Sequence, residues 1–525
     1  MKDEKKIGVV LSYLVIVLNM LVGITYTPFL IRMLGQSEYG LYSIVYSVIS
    51  YLTVMDMGFG NAIVIYTARY INQENKEKQD KLHGMFMVIY CIIGIIAAIL
   101  GIILYFNVNL LFGNSMTPTE ISEAKTMMLI LTFNLAATFP LSIFGNIIVA
   151  HEKFIANKVI KIIQIIMQPM LMIPLLFMEY KAIAMVIVIT VVNIFCLMLN
   201  AIVAIKKLDV KIKFQGFDFK LLKEIFAYSF FIFLNQIIDR VNWSMDQFIL
   251  GSIVGTVATA VYAVASQLNN MYMNFSTAIS GVLLPQVTKM EDNKASNKEF
   301  SDIFIKTGRL QYILMALIIT GFVLFGQVFV NWWAGVGYEN SYYIACILMI
   351  PLTIPLIQNI GLSILQAKNL YKYRTIIFFF IAILNIAVSI PLTKSYGGIG
   401  AAMGTSFAVI LGHCIILNVY YHKKVGINMI EFWKNILKMS IPVIIAVILG
   451  IGINKILVSG SIIVLLVKII LYTILYAILM WKLGMNQYEK SLVLKPLEKI
   501  RTKVRGGFDD RNNWQNKMYG MPCML

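Results

Sequence analysis

A chain of 525 residues in which 59% are hydrophobic and only 13% are charged lacks the charged surface that a soluble protein of this length requires. The formal net charge of +18 alone would suggest a nucleic-acid partner, but the basic residues are gathered in short loops, so we predict no nucleic-acid binding. Apolar runs of about 18–25 residues separate those loops, and they are too long and too evenly apolar for barrel strands, so they predict membrane-spanning helices.

We therefore predict an all-α integral membrane protein with about 14 transmembrane helices. The first apolar run is too long for a signal peptide and lacks a small-x-small cleavage site, so we expect it to stay as the first span. In chain order the predicted spans are 7–31, 41–66, 83–106, 127–150, 160–178, 182–205, 225–250, 256–284, 310–333, 342–366, 375–393, 398–421, 436–454 and 462–481.

Basic residues predict the orientation of these spans. If the N-terminus is cytoplasmic, 37 of the 44 lysines and arginines fall in segments on the cytoplasmic side and five fall on the other side. Such an asymmetry is typical of multi-pass proteins, whose cytoplasmic loops are enriched in lysine and arginine. We predict a plasma (inner) membrane protein with both termini in the cytoplasm.

Spaced residues recur along the chain and indicate an internal repeat. Gly35 and Tyr42 return as Gly255 and Tyr262, 220 positions later. A second set returns after 216 positions, pairing Gly145, Lys158, Tyr180 and Ile183 with Gly361, Arg374, Tyr396 and Ile399. Two parallel six-helix units are expected, as in transporters built from repeats. The predicted divisions are 1–205 and 225–421 for the two bundles, 206–224 for a cytoplasmic linker, 422–481 for two additional helices and 482–525 for a basic cytoplasmic tail.

Polar residues inside the spans are costly in a bilayer and therefore point to function. Span 7 carries two adjacent polar faces, one with Asn235, Asp239, Asn242 and Asp246 and the other with Gln236, Arg240, Trp243 and Gln247. Span 8 continues with Gln267, Asn270, Asn274 and Thr277 on one face, and in the first copy span 2 carries Ser47, Ser50 and Asp56. Because such faces do not tolerate lipid, we predict that they line one central cavity.

The residues that we predict to bind substrate are Asn235, Asp239, Arg240, Asn242, Gln267, Asn270, Asn274, Asp56 and Lys468. The alternative is that isolated amides only join helices, that Asp246 takes an interfacial position near the outer end of its span, and that Lys468 snorkels or pairs with a neighbour. Arg240 is the only arginine deep within a predicted span, and we expect it to pair with Asp56 across the cleft when no substrate is bound.

No motif for covalent chemistry or nucleotide hydrolysis is found. The sequence contains no Gly-rich phosphate-binding motif ending in Lys-Ser/Thr, and its five cysteines do not have metal-ligand spacing. We predict a protein that is not an enzyme and has no cofactor. The energy must then come from an ion gradient, from the substrate gradient or from a partner protein. We favour a gradient, with Asp56 and Asp239 as candidate ion-coupling carboxylates.

Two motifs resemble a known family. The segment Leu34–Tyr42 reads LGQSEYGLY and Asp56–Ala62 reads DMGFGNA, and both resemble the start of Wzx-like polysaccharide (O-antigen or capsule) repeat-unit flippases of the multidrug/oligosaccharidyl-lipid/polysaccharide exporter superfamily. The resemblance implies two bundles in a V shape, alternating access and a polyprenyl-diphosphate-linked oligosaccharide as substrate. It also implies contact with membrane lipids and with other polysaccharide assembly proteins.

Two other transport functions remain open, and an enzyme of a different class is disfavoured. A multidrug/cation antiporter of the same superfamily should have a small cavity with aromatic and acidic residues and no need for a cation. A peptidoglycan-precursor flippase should have more intramembrane arginines than the single deep one predicted here. A membrane polymerase or ligase should have a large external loop with catalytic groups, and none is found.

Overall fold

The computed structural model describes residues 2–280, 284–368, 370–457 and 461–494, and over these ranges the chain is helical without any strand. In chain order the helices are α1 (Lys2–Leu52), α2 (Phe59–Asn72), α3 (Lys76–Phe112), α4 (Pro118–Ala150), α5 (Phe154–Phe177), α6 (Ala182–Leu208), α7 (Phe219–Ile253), α8 (Thr256–Ser280), α9 (Leu284–Asp292), α10 (Asn297–Ala334), α11 (Glu339–Ile357), α12 (Ile360–Ala367), α13 (Tyr371–Val409), α14 (Asn418–Tyr420), α15 (Met429–Ile456) and α16 (Ile462–Leu479). A 3-10 turn occupies Thr53–Asp56, and π-helical stretches occupy Ile410–Leu417, Tyr421–Val425 and Met480–Gly484.

By length and composition, ten helical stretches in the described part of the chain are suited to cross a membrane. Two of them, Ile7–Asn72 with 66 residues and Lys372–Val425 with 54, are far longer than the ~20 residues that one crossing needs. Each is divided at a glycine with positive φ, 76° at Gly35 and 57° at Gly397. The helices α7 and α8 are not among the ten. Dividing the long stretches and adding α7 and α8 would give fourteen segments, and the number of crossings stays a prediction.

The connections between helices lie on two faces of the bundle. The basic face carries the connections at 73–75, 151–153, 209–218, 293–296 and 426–428, and there Lys153 Nζ lies 3.1 Å from Glu4 Oε2. The opposite face carries the connections at 113–117, 178–181, 254–255 and 335–338, and there Ser115 Oγ donates to Gly251 O at 2.6 Å. This arrangement agrees with the alternation of basic loops in the sequence.

The described residues form two large hydrophobic cores, one mainly in the first half of the chain and one mainly in the second. One is built mainly from the second limb of α1 and from α2, α3, α4 and α6, and the other from α7 to α13. The second core also takes Met429, Phe432 and Ile436 from α15, so the first of the two additional helices is an integral part of that bundle. A third core joins the halves, because Leu30 and Ile31 of α1 pack with Ala260 and Val264 of α8.

The beginning of the predicted tail is docked against the bundle. Arg309 of α10 makes a two-pronged ion pair with Glu489, with Nε–Oε1 at 2.6 Å and Nη2–Oε2 at 2.9 Å. Arg309 also donates to Gly484 O at 3.0 Å, and Glu489 is 1% exposed. Residues 482–494 therefore belong to the folded protein. The rest of the predicted tail, 495–525, lies outside the described residues.

Candidate functional site

A polar cavity lies between the second limb of α1 and the helices α7 and α8. We call it the central cavity, and its volume is ≈ 380 Å³. From α1 it is lined by Tyr39, Tyr42, Ser43, Tyr46, Ser47 and Ser50, and from α7 and α8 by Arg240, Asn242, Trp243, Ser244, Asp246, Gln247, Tyr262, Ala263, Ser266, Gln267, Asn269 and Asn270, with Leu348 and Thr405 completing the wall. The polar faces predicted for spans 7 and 8 and the two serines of span 2 therefore meet across the junction between the halves.

The internal repeat is visible in the walls of this cavity. Tyr42 and Tyr262, which are 220 positions apart, both line it. The glycines that precede them at the same offset, Gly35 and Gly255, both have positive φ, at 76° and 113°. In each copy of the repeat, a glycine with positive φ therefore marks a turn on the opposite face, and the helix that follows it contributes a tyrosine to the same cavity.

Two further cavities adjoin the central one. The first, of ≈ 340 Å³, lies inside the second half, and Asp239, Arg374 and His413 line it; we call it the second-half cavity. It shares Asn242, Trp243 and Thr405 with the central cavity. The other, of ≈ 430 Å³, lies between the first limb of α1 and α8, and it shares Gln267 and Asn270 with the central cavity. Polar space therefore extends from the middle of the molecule in two directions.

The predicted substrate-binding residues divide among these spaces. Arg240, Asn242, Gln267 and Asn270 line the central cavity, Asp239 lines the second-half cavity, and Asn274 lines the cavity beside α1. Asn235 instead lies against α13, where its Nδ2 donates to Thr375 Oγ1 at 2.9 Å. For Asn235 the alternative role of joining two helices fits this geometry.

The expected pair between Arg240 and Asp56 is not present among the described contacts. Arg240 Nη2 donates to Thr53 Oγ1 at 3.2 Å, and Asp56 Oδ1 accepts from Tyr90 OH at 2.6 Å. Asp56 does not line the central cavity. The physical reason is that Asp56 lies at the end of a 3-10 turn that directs its carboxylate towards α3.

The helix break that produces this turn was not predicted. Met57 and Gly58 have φ values of 51° and 74°, which an α-helix does not accommodate, and α2 begins at Phe59. A Cβ at Gly58 would lie 2.5 Å from Ile232 Cγ2 of α7, so the break is also a place of close approach. The DMGFGNA motif therefore interrupts a span beside α7, and interrupted helices commonly line binding sites in transporters.

Asp246 is a buried carboxylate and not an interfacial one. It is 4% exposed, and its Oδ2 accepts hydrogen bonds from Tyr262 OH and, at 2.7 Å, from Thr405 Oγ1. Asn385 Oδ1 continues this group of oxygens, accepting from Ser389 Oγ at 2.9 Å. In the sequence, the place of Asp246 on the same helical face as Asp239 indicated that it faces the cavity. Its nearness to the end of an apolar run indicated instead a position at the membrane surface.

Arg240 is not the only arginine within the bundle, which corrects our prediction. Arg309 and Arg374 are 7% and 9% exposed, and the guanidinium of Arg374 lies 4.7 Å from the ring centre of Phe378. Both were assigned to loops because they stand beside apolar runs. The helices extend further than those runs, since α10 begins at Asn297 and α13 at Tyr371.

Lys468 lies away from the cavities, which corrects its predicted role in binding substrate. It is 4% exposed on α16, and its Nζ donates to Asn454 Oδ1 of α15 at 2.7 Å. It lines none of the three polar cavities described above. The amide of Asn454 therefore satisfies the ammonium within the contact between the two additional helices.

The two halves are joined on the opposite face by a hydrogen-bonded contact that we call the latch, formed by Ser37, Glu120 and Thr256. Glu120 Oε1 accepts from Ser37 Oγ at 2.6 Å and from Thr256 Oγ1 at 2.8 Å. Partial burial raises the pKa of Glu120, but the hydrogen bonds from Ser37, Thr117 and Thr256 outweigh it and hold the pKa below its ordinary value. Gln36 Nε2 adds a bond to Gly337 O at 2.6 Å. The opposite face is therefore closed above the central cavity.

Among the described residues, no three His, Cys, Asp or Glu side chains are grouped closely enough to hold a metal ion.

Comparison with known proteins gives matches over most of the chain. A family model described as "Polysaccharide biosynthesis protein" matches residues 6–291, which is more than half of the 525 residues. A protein of Shigella flexneri named "Putative O-antigen transporter" is 23% identical over 409 residues, which cover 76% of this chain and 94% of the relative.

Solved structures share the fold. "Lipid II flippase MurJ, inward closed conformation" matches with a TM-score of 0.70 and 18% identity, covering 94% of this chain and 99% of that one. An inward-facing multidrug resistance transporter of the MATE family matches with a TM-score of 0.58 and 13% identity, covering 76% of this chain and 96% of that one. At these identities the likeness concerns the architecture, which is that of a multi-pass membrane transporter.

Proposed function

This chain belongs to the polysaccharide biosynthesis protein family, and on that premise we propose that it is a flippase for lipid-diphosphate-linked oligosaccharides. It would move repeat units from the inner to the outer leaflet of the plasma membrane for the assembly of a surface polysaccharide. The proposal includes the orientation indicated by the basic loops, with the basic face in the cytoplasm.

The central cavity is the observation that carries this proposal. A diphosphate requires a fixed cation, and the planar guanidinium of Arg240 binds phosphate oxygens in pairs. Amides can hydrogen-bond to sugar hydroxyl groups and an aromatic ring can pack against the sugar ring, and Asn242, Gln267 and Trp243 supply such groups. The cavity lies where the two halves meet, so movement of the halves would expose it to either leaflet.

Alternating access is supported by the closed opposite face. With the latch formed, the central cavity is separated from that side, and its ≈ 380 Å³ is small for an oligosaccharide. Substrate would therefore bind in a conformation in which the halves separate on the basic face. Breaking the latch would then release it on the other side.

We propose that an ion gradient drives the cycle. Asp56 and Asp239 remain candidates for ion coupling, and Asp246 joins them because oxygen atoms of Thr405 and Tyr262 surround its carboxylate. Such a site suits a proton or a small cation, since a buried carboxylate is stabilised by either.

The fold likeness leaves two other transport functions to be tested, a multidrug/cation antiporter and a peptidoglycan-precursor flippase. Deleting the gene and analysing lipid extracts by mass spectrometry distinguishes all three. We expect a lipid-linked oligosaccharide repeat unit to accumulate and surface polysaccharide to be lost, with both reversed by the wild-type gene. Accumulation of a peptidoglycan precursor, or altered drug sensitivity with a normal lipid profile, would contradict the proposal.

A further inference from the structure

A groove with three lysines opens on the outside of the second half, near the basic face. It lies where the π-helical Tyr421–Val425 ends at the Gly426 turn and α15 begins, and its volume is ≈ 810 Å³. We call it the lysine groove after Lys423, Lys434 and Lys438, which line it. It is separate from the central and second-half cavities, with which it shares no lining residue.

The charges around this groove are of one sign. None of the residues that line it is Asp or Glu, and the three lysines make no ion pair with the described part of the chain. The nearest acidic residue in sequence, Glu431, accepts a hydrogen bond from Asn428 Nδ2 at 3.1 Å at the start of α15. An anion in the groove would therefore meet three ammonium groups on flexible stems.

The groove also has an apolar side, which begins before Lys434 and continues past Lys438 along α15. Ile430, Leu437 and Ile441 line it, and they are 71%, 66% and 58% exposed. The exposed Ile444 and Ile448 continue the same face of α15 at helical spacing. Lysines above a continuous apolar track match the order of head group and acyl chains in a lipid.

The floor of the groove is held by hydrogen bonds. Trp433 Nε1 donates to Asn418 Oδ1 at 2.8 Å, and Gln358 Nε2 donates to the same oxygen at 3.1 Å. Gln358 lines the second-half cavity, so a single layer of side chains separates the groove from that cavity. A molecule bound in the groove would thus contact the side chains that form the wall of the second-half cavity.

We propose that the lysine groove binds one anionic phospholipid of the surrounding membrane. Lys423, Lys434 and Lys438 contact its phosphate, and its acyl chains follow Leu437 and Ile441 along α15. Basic pockets between transmembrane helices on the cytoplasmic side are suited to anionic head groups. A zwitterionic lipid lacks the net charge that three unpaired ammonium groups favour. The proposal is independent of the transported substrate.

Trp433 in the groove supplies the test. The full-length protein is reconstituted in phosphatidylcholine vesicles that contain a small fraction of either brominated phosphatidylglycerol or brominated phosphatidylcholine, and bromine quenches nearby tryptophan. The difference between the wild type and Trp433→Phe isolates the signal of Trp433. We expect stronger quenching by phosphatidylglycerol, with the preference falling about fivefold for each lysine changed to glutamine.

The matched control removes three exposed lysines elsewhere on the basic face, by Lys207→Gln, Lys220→Gln and Lys223→Gln, and should leave the preference intact. Ile441→Phe fills the groove without changing charge and should also reduce quenching. Equal quenching by both brominated lipids, or a preference that survives loss of all three groove lysines, would overturn the proposal. So would displacement of the brominated lipid by stoichiometric polyprenyl diphosphate, since the groove would then belong to the substrate.

Discussion

At the scale of single residues, substitutions of Arg240 can distinguish a role in binding phosphate from a role in helix packing. Its guanidinium lines the central cavity and is held by one described hydrogen bond, to Thr53. Arg240→Ala should reduce transport of the lipid-linked oligosaccharide about 10- to 100-fold, the value of a charge-assisted hydrogen bond to phosphate. Arg240→Lys keeps the charge but lacks the planar guanidinium, so its transport rate should lie between those of the wild type and Arg240→Ala. Transport is measured in vesicles that contain equal amounts of each protein.

The control for Arg240 is Thr53→Val, which removes its hydrogen-bond partner and leaves the cation in place. If Arg240→Ala transports normally, or is inactive only because the protein is absent from the membrane, the guanidinium does not bind the head group.

Asp246 offers the corresponding test of energy coupling. Asp246→Asn removes the charge but keeps an oxygen for Thr405 and Tyr262. We expect transport to lose its response to an imposed ion gradient while the protein remains folded. Thr405→Val removes one of the oxygen atoms beside this carboxylate, so it should destabilise the protein by about 1 kcal/mol and weaken the gradient response without abolishing it. Both variants are compared in vesicles with and without an ionophore. A variant Asp246→Asn with the gradient response of the wild type would eliminate this carboxylate as a coupling site.

At the scale of structural elements, the helix break at Gly58 is the feature that a substitution can probe. The left-handed backbone at Gly58 disfavours alanine by about 1–2 kcal/mol, and the added Cβ would also press on Ile232 of α7. Gly58→Ala should therefore lower the thermal unfolding temperature in detergent. Gly58→Ala combined with Ile232→Ala should relieve only the contact, so stability should recover in part.

Gly452 is the matched control, because it lies within α15 and a Cβ there would meet nothing within 4 Å. Gly452→Ala should be neutral or slightly stabilising. Equal unfolding temperatures for Gly58→Ala and the wild type would show that the break tolerates a side chain and does not depend on glycine.

The elements also show what sequence patterns do and do not predict. Asn242 and Asp246 could be placed on one side of α7 because helical period depends only on spacing. The break before α2 could not be predicted, because the glycines at 58 and 60 do not exclude a continuous helix and the sequence does not show which residue takes a left-handed conformation. Arg309 and Arg374 were assigned to loops because hydrophobicity marks the lipid-facing part of a helix and not its ends.

At the scale of the whole molecule, the latch between the halves predicts a dependence on pH. The pKa of Glu120 lies below its ordinary value of 4.5, so the carboxylate stabilises the closed opposite face above that pH. This contribution is lost as the pH falls through the lowered pKa. The opposite face should therefore open more readily as the pH falls below 4.5, and it should be insensitive to pH in the neutral range, where the carboxylate stays ionised.

A cysteine at Ser43, which lines the central cavity and is 5% exposed, reports this opening through its reaction with an impermeant maleimide. Its labelling is divided by that of a cysteine at Val336, which is 94% exposed, to cancel the effect of pH on the reaction. Glu120→Gln should raise the ratio at neutral pH and Glu123→Gln should not. A ratio unchanged by Glu120→Gln would show that the latch does not hold the face closed.

The two-half plan could be predicted from the sequence because the repeat preserves spacing across the chain, as with Tyr42 and Tyr262. The contacts between the halves could not be predicted from the sequence. Gln36 and Gly337 are separated by 301 positions, and nothing in the local pattern of either residue specifies its partner. The same limit explains why Asp56 and Arg240, both polar and both deep, were paired incorrectly.

The ion pair between Arg309 and Glu489 has a consequence for biosynthesis. The carboxylate is made 180 residues after the guanidinium, a delay of roughly 9–36 s at ordinary rates of translation. Throughout that interval Arg309 has no Glu489, and the site between α10 and α15 is completed only when the last transmembrane helix has left the ribosome. We therefore expect chains that stop before residue 489 to leave Arg309 without its carboxylate and to be less stable than the full-length protein.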